Sequence, residues 1–315
     1  MKRDNTIPQI SIVIPLYNEA ESLVELHTQI VNVMQSINAT YEIIFIDDGS
    51  NDSSFDVLKQ LYETSRQIRI FQFRKNFGKS AALATGFAKA SGEFVITMDA
   101  DLQDDPHEIP ALIDKLNEGY DLVSGWKKKR YDPFIKKYTS KVFNRTTSWV
   151  SGLYIHDFNC GLKAYRREVV KNVQVYGQLH RYIPMLAHLQ GFRVTEIPVQ
   201  HHPRKYGMTK FGISRFTAGL FDLITTAFLA RFKRRPLHLF GTMGLISFTI
   251  GALICLYLAY YWMFIESRLT NRPILFLGIL LIMVGVQFFS IGLLGELITD
   301  SKKKDLEYSI KTSLE

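Results

Sequence analysis

Two long stretches of this chain carry no charge: 27 residues from Leu239 to Ile265 and 23 from Pro273 to Gly295. At about 1.5 Å per residue, a helix of either length exceeds the hydrocarbon core of a bilayer, roughly 30 Å. Soluble core helices rarely run so far without an ion, so the pair reads as two membrane spans. Only Glu266 to Arg272 join them, which forces a tight helical hairpin. Arg231, Lys233, Arg234 and Arg235 precede the hairpin and Lys302, Lys303 and Lys304 follow it, whereas the joining stretch holds only Arg268 and Arg272. Positive-inside bias therefore expects the body and the C-terminal tail on the cytoplasmic side of the inner membrane. The first residues do not read as a secretion signal. Their apolar run is short, is broken by Pro15 and leads into Asn18-Glu19.

The net charge of +8 is unevenly spread. Residues 127–145 and 201–235 each hold eight basic residues and a single acid, so the remainder of the chain is acidic. In the first segment Phe134, Tyr138, Val142 and Trp149 recur at helical spacing, and in the second Ile213, Phe216, Leu220, Ile224 and Phe228 do. Basic amphipathic helices beside membrane spans suit a headgroup surface, and no nucleic-acid-binding motif accompanies them. The expected organisation is an N-terminal domain over 1–210, a basic juxtamembrane helix over 211–235, two spans over 236–298 and a tail over 299–315. A hydrophobic content of 47% excludes a disordered chain. Two cysteines, Cys160 and Cys255, exclude a disulfide framework, and no Cys/His cluster has zinc-ligand spacing.

Residues 1–200 alternate short β-rich runs with helical patterns. Ile10–Leu16, Tyr41–Ile46, Ile68–Phe73 and Glu93–Met98 read as strands, each followed by a helix. Such alternation predicts an α/β domain with a mostly parallel, Rossmann-like sheet. Ligands of such sheets bind beyond the carboxyl ends of the strands. Those ends read Pro15-Leu-Tyr-Asn-Glu19, Asp47-Asp-Gly-Ser50 and Asp99-Ala-Asp-Leu-Gln-Asp-Asp-Pro106. Asp99 and Asp101, with the amide oxygen of Gln103, form a hard oxygen set suited to Mg²⁺ or Mn²⁺. A metal held there can bridge a diphosphate and neutralise a departing nucleotide.

These three strand ends, with Gly78-Lys79, resemble a family 2 glycosyltransferase of the GT-A fold. More narrowly, Arg204-Lys-Tyr-Gly-Met-Thr-Lys210 and the C-terminal hairpin resemble the polyprenyl-phosphate glycosyltransferases, such as dolichyl-phosphate mannose synthase and bacterial undecaprenyl-phosphate sugar transferases. Asp157-Phe-Asn-Cys-Gly-Leu-Lys163 is similar to the family segment between the metal motif and the basic loop.

The resemblance implies that Pro15, Tyr17 and Glu19 line the nucleotide pocket, and that Asp48 faces the base or ribose. Asp99, Asp101 and Gln103 would hold the metal and the donor diphosphate. Lys79 reads either as a phosphate or ribose contact or as a solvated first-turn lysine. Arg204 would meet phosphate, with Thr209 and Lys210 at the start of the helix leading to the membrane. The stretch after Trp126 is Lys-Lys-Lys-Arg rather than one clear arginine, so Lys127, Arg130, Lys136 and Ser140 all remain candidates for the acceptor phosphate. Asp157 would orient the sugar, act as a base or simply close a turn. His180-Arg181 are further candidates for the sugar pocket. A lipid phosphate is already anionic near neutral pH and needs little general base, so a single displacement would invert the anomeric centre. The partners expected are a nucleotide-sugar donor, UDP favoured over GDP, a polyprenyl-phosphate acceptor, the bilayer and further copies of the chain, a tetramer by family resemblance.

Overall fold

The computed structural model describes residues 7–128, 144–149, 151–177, 179–203, 205–206, 236–264 and 273–301. The chain divides into two compact units, residues 1–227 and 228–315. Most of both basic segments, including Arg130, Lys136, Ser140, Arg204, Thr209 and Lys210, lies outside the described residues.

In the first unit β1 (Ile10–Leu16), β2 (Tyr41–Asp47), β3 (Ile68–Gln72) and β4 (Phe94–Thr97) alternate with α1 (Leu23–Ser36), α2 (Ser54–Thr64) and α3 (Lys79–Lys89). Pro106–Glu108 make a 3-10 turn, capped by the Asp105 side chain accepting from the His107 N–H, before α4 (Ile109–Asn117). Then follow β5 (Leu122–Lys127), β6 (Lys163–Arg166), α5 (Arg167–Asn172), α6 (Ile183–Leu189) and β7 (Val194–Val199). The seven strands form one sheet in the order β3-β2-β1-β4-β6-β5-β7. β1 to β4 are parallel, as the alternation predicts. β6 runs against both its neighbours, β4 and β5, while β5 and β7 are parallel.

The sheet is covered on both faces, which explains why its central strands read as unbroken apolar runs. Ile12, Ile14, Ile43 and Phe45 pack with Leu26, Ile30 and Leu112 of α1 and α4. The intervening Val13, Ile44 and Ile46 pack with Leu83 and Phe87 of α3 and Ile183 of α6. Pro15 is tolerated in the central strand for a local reason. It shares parity with Val13, whose carbonyl accepts from Met98 N at 3.4 Å, and β4 has already ended at Thr97. The missing N–H of Pro15 therefore falls beyond the end of its neighbour.

The second unit is a helical hairpin of α7 (Pro236–Phe264) and α8 (Pro273–Ser301), both long and apolar enough to cross a membrane. Its glycines lie between the two helices. A Cβ on Gly244 would come within 2.7 Å of the Gly285 carbonyl, and one on Gly251 within 2.6 Å of the Gly278 carbonyl. The Ser247 hydroxyl also donates to the Leu281 carbonyl at 2.8 Å. Small residues and an interhelical hydrogen bond are the usual means of joining helices where lipid removes the hydrophobic drive. Gly244→Leu should therefore destabilise the hairpin by about 1–3 kcal/mol. Leu245→Met, on the lipid-facing side at 64% exposure, should change little. Thermal unfolding in detergent distinguishes the two, and equal stability of both variants would contradict this packing.

Candidate active site

β1, β2 and β4 end side by side, so the residues that follow them share one edge of the sheet. The first two ends are stapled together. Asn18, at φ 56°, donates through Nδ2 to Asn51 Oδ1 at 2.7 Å and accepts the Asn51 N–H at 2.9 Å. Its own N–H donates to Ser50 Oγ at 2.9 Å, and the Glu19 N–H donates to Ser54 Oγ at 2.9 Å. An asparagine tolerates this left-handed backbone better than most residues. Tyr17 and Glu19 are half-buried beside the staple, and Pro15 lines a cavity with Asp99.

Asp47 and Asp48 divide the work at the second end. Asp47 accepts the Ser50 N–H and the Gln72 amide, both at 2.9 Å, and so shapes its own turn. Asp48 accepts the N–H groups of Phe77 at 2.7 Å and Gly78 at 2.9 Å, which fixes the entry of α3. Burial pushes the Asp48 carboxyl up, against those two N–H donors and with help from the neighbouring Asp47 charge.

Fixing α3 places its first residue, Lys79, in an ion pair with Asp99. Burial alone would raise the Asp99 carboxyl, but Lys79 and then Lys127 outweigh it and hold it at about 2. Asp99 is thus ionised at any physiological pH, with a third of its side chain accessible (33%). The loop after it turns through Leu102 at φ 59°, a strained backbone for a branched residue, and the Gln103 N–H donates to Asp101 Oδ1 at 3.2 Å.

Asp104 is nearly inaccessible, and its Oδ1 pairs with the Lys127 ammonium at 2.9 Å. Burial would depress Lys127, yet Asp104 and Asp99 raise its pKa. Gly161 closes the cluster from the other side. A Cβ there would sit 2.6 Å from Asp104 Oδ2 and 2.7 Å from the Asp99 carboxyl carbon, so only glycine admits both carboxylates. Beneath Asp99 lies a cavity of ≈ 20 Å³, room for about one water, lined by Lys79, Asn159, Cys160, Lys163 and His180. Burial pushes the His180 imidazole well below its usual value, with Lys79 and Arg181 acting in the same sense, so the ring is neutral and shares a hydrogen bond with Ser80 at 2.9 Å. Cys160 is reduced and buried, its thiol pushed up to about 12 chiefly by burial.

Asp157 is buried at the cluster's far side, with Oδ1 accepting the Asn159 N–H at 3.0 Å. Glu196 holds the preceding residues: its Oε2 accepts from His156 N at 2.7 Å and from Asp157 N at 3.3 Å, while its Oε1 pairs with the His156 ring. That ring stacks on Trp126 at 4.1 Å.

The structure therefore gathers Pro15, Lys79, Asp99 and Lys127 around one cleft end, with Asp101 and Gln103 on the adjoining loop. Sequence reasoning left out Asp104, Gly161 and Lys163. Only their sequence neighbourhood hinted at them, because each acts through a partner from a distant segment.

The donor set fits a divalent ion. Asp99 is ionised and accessible, and Gly161 leaves its side clear; Asp101, whose Oδ1 accepts the Gln103 N–H, lies two residues on in the same loop. Among the described residues no three acidic, His or Cys side chains converge. A hard cation that shares its shell with phosphates needs only one or two carboxylates.

Residues 11–174 match the model described as "Glycosyl transferase family 2", and residues 235–301 the "GtrB C-terminal hairpin". The chain belongs to glycosyl transferase family 2. A Rhizobium johnstonii protein named dodecaprenyl-phosphate galacturonate synthase is 35% identical over 94% of this chain and 89% of its own length. A Salmonella choleraesuis protein named undecaprenyl-phosphate 4-deoxy-4-formamido-L-arabinose transferase is 34% identical over 93% and 88%. Among solved structures, Mycobacterium tuberculosis glucosyl-3-phosphoglycerate synthase in complex with Mn²⁺ and UDP-glucose shares the fold, at TM-score 0.53 and 19% identity over 71% of this chain and 79% of that one.

For this member of the family, Gly161→Ala should displace Asp99 and Asp104 while sparing the core. Sub-ångström misplacement of reacting groups is costly, so turnover should fall about a hundredfold with a near-native melting transition. Wild-type turnover in the Gly161→Ala protein would contradict the close approach seen here.

Proposed function

We propose that the chain transfers a sugar from a nucleotide-diphosphate sugar to a membrane polyprenyl phosphate. One observation carries this reading: relatives matched along nearly the whole chain, hairpin included, bear the names of polyprenyl-phosphate sugar transferases. The donor lies at the acidic strand ends, UDP being favoured over GDP, and the product is a polyprenyl-phosphate sugar made at the cytoplasmic face with inversion. The domain and both termini face the cytoplasm by the positive-inside argument.

Asp99, Asp101 and Gln103 would hold Mg²⁺ or Mn²⁺, and an ion bound there supplies countercharge to the diphosphate leaving group. Lys79 stands where it can follow the donor phosphates once Asp99 has another partner. The nucleotide would lie along the stapled loops, against Pro15, Tyr17 and Glu19, with Asp48 fixing the wall. The acceptor needs cations at the membrane end, and Lys127, Arg130, Lys136, Ser140, Arg204, Thr209 and Lys210 are its candidate partners. Lys127, paired with Asp104, links that set to the donor end. Asp157 orients the sugar or accepts a proton. The glycines are engaged inside the hairpin, so a homo-oligomer, a tetramer in this reading, would use its other lipid-facing surfaces.

Screening a nucleotide-sugar panel against undecaprenyl phosphate, with mass detection of the lipid product, tests the activity and its donor. Chelation, or Asp101→Ala, should abolish product, and wild-type transfer by Asp101→Ala would remove the metal assignment. A guanidinium grips phosphate through two parallel hydrogen bonds that an ammonium does not copy. Arg204→Lys should therefore lose most activity and Arg204→Ala more. Near-normal turnover of Arg204→Lys with a short-chain acceptor would mark that residue as a general headgroup contact.

A further inference from the structure

Lys163 adds to the positive field at Asp99, yet it has no ion-pair partner of its own among the described residues and the proposed transfer gives it no role. It opens β6, is only 3% exposed, and its ammonium donates to the Cys160 carbonyl. An ammonium has three donors and is costly to bury without an opposite charge. Lys127, buried nearby, has Asp104 as its carboxylate partner, and Lys79 has Asp99. Burial, with the Lys79 charge acting in the same sense, pushes Lys163 below its usual value, and among the described residues it has no carboxylate within ion-pair distance, although Asp157 and Asp99 are near enough to favour its charged form. It also lines the one-water cavity, together with Lys79, His180 and Asn159. A lysine in a core that merely needed filling would be better replaced by an apolar residue of similar volume. Here the side chain lines a cavity that it shares with the candidate metal ligand Asp99.

We propose that this cavity is an anion subsite for the donor, in which the Lys163 ammonium takes an anionic oxygen, supplied either by the diphosphate or by a carboxylate on the sugar. The inference rests on the donor reading above and adds a residue and a ligand chemistry to it. Were Asp99 to hold a divalent ion, its hold on Lys79 would weaken, and the two lysines that line the cavity would be open to an anion. Binding of the ion and of the anion would then favour each other. His180, being neutral, offers a hydrogen bond without adding to the charge.

Calorimetric titration of the full chain in detergent with Mn²⁺ tests this, using UDP, UDP-glucose, UDP-glucuronate, GDP and GDP-mannose as probes. Lys163→Met keeps the volume and removes the charge. It should weaken an anionic probe about tenfold or more, the scale of a lost charged hydrogen bond. A loss shared by the nucleoside diphosphate and all its sugars identifies the diphosphate as the anion. A loss confined to UDP-glucuronate identifies the sugar carboxylate. Asn159→Asp provides a second, exposed variant that places a competing carboxylate at the cavity and should also weaken binding. Unchanged affinities in Asn159→Asp, and in Lys163→Met where it melts like the wild type, would overturn the subsite. A wild type that binds none of the five probes would instead overturn the donor reading itself.

Discussion

A carboxylate at the end of a buried strand has to be compensated where it stands, and Asp99 is compensated from three distant segments. Lys79 comes from the first turn of α3, Lys127 from the end of β5 and Lys163 from the start of β6. The sheet order makes this possible. Because β6 inserts antiparallel between β4 and β5, its first residue meets Thr97 at the end of β4, two positions before Asp99. The strand that departs from the parallel pattern is thus the one that brings a cation to the acidic edge. Gly161, just before β6, lets the backbone approach closely enough for the exchange.

The same requirement explains which parts of the molecule were legible in the sequence. The four leading strands and α3 follow from local alternation, and the α3 limits, Lys79 to Lys89, lie where the helical pattern begins and ends. Asp99 and Asp101 were legible because an apolar strand delivers them to a turn. Asp104 was not, because Asp99-Ala-Asp-Leu-Gln-Asp-Asp offers four acids and only Lys127 singles one out for burial. The basic run 127–130 read as one patch, yet Lys127 is turned inward while Lys128 is exposed. Lys163 sits in an apolar stretch where a lysine reads as a strand-end residue. Its burial follows from the antiparallel insertion, which no local period announces. Asp48 read as a ligand contact, and both of its oxygens are engaged in holding the loop before α3.

The hairpin poses the complementary difficulty. Length and absence of charge identify its helices, but a stripe of glycines does not say which helix it faces. The reciprocal approach of Gly244 to Gly285 and of Gly251 to Gly278 assigns the stripe to the hairpin itself. Large residues such as Leu256 and Phe276 are left on the outside, where lipid accommodates them at no cost.

The acidic loop after β4 and the segment after β7, far apart in sequence, are neighbours in the fold. The loop that carries Asp99, Asp101 and Gln103 is joined to the segment after β7 by the bridge between Asp104 and His201. The Gln103 carbonyl also accepts the His202 N–H at 2.9 Å, and His202 Nε2 lies 3.1 Å from Asp105 Oδ2. Arg204 follows within two residues of that junction. The described backbone is thus tied to the acidic loop at 201 and 202. The strained turn at Leu102 lies in the same loop, beside the Gln103 N–H bond to Asp101 and the contacts of the Gln103 carbonyl with His201 and His202. Two segments that local sequence pattern keeps separate are thus pinned to one another at the edge where the acidic residues gather.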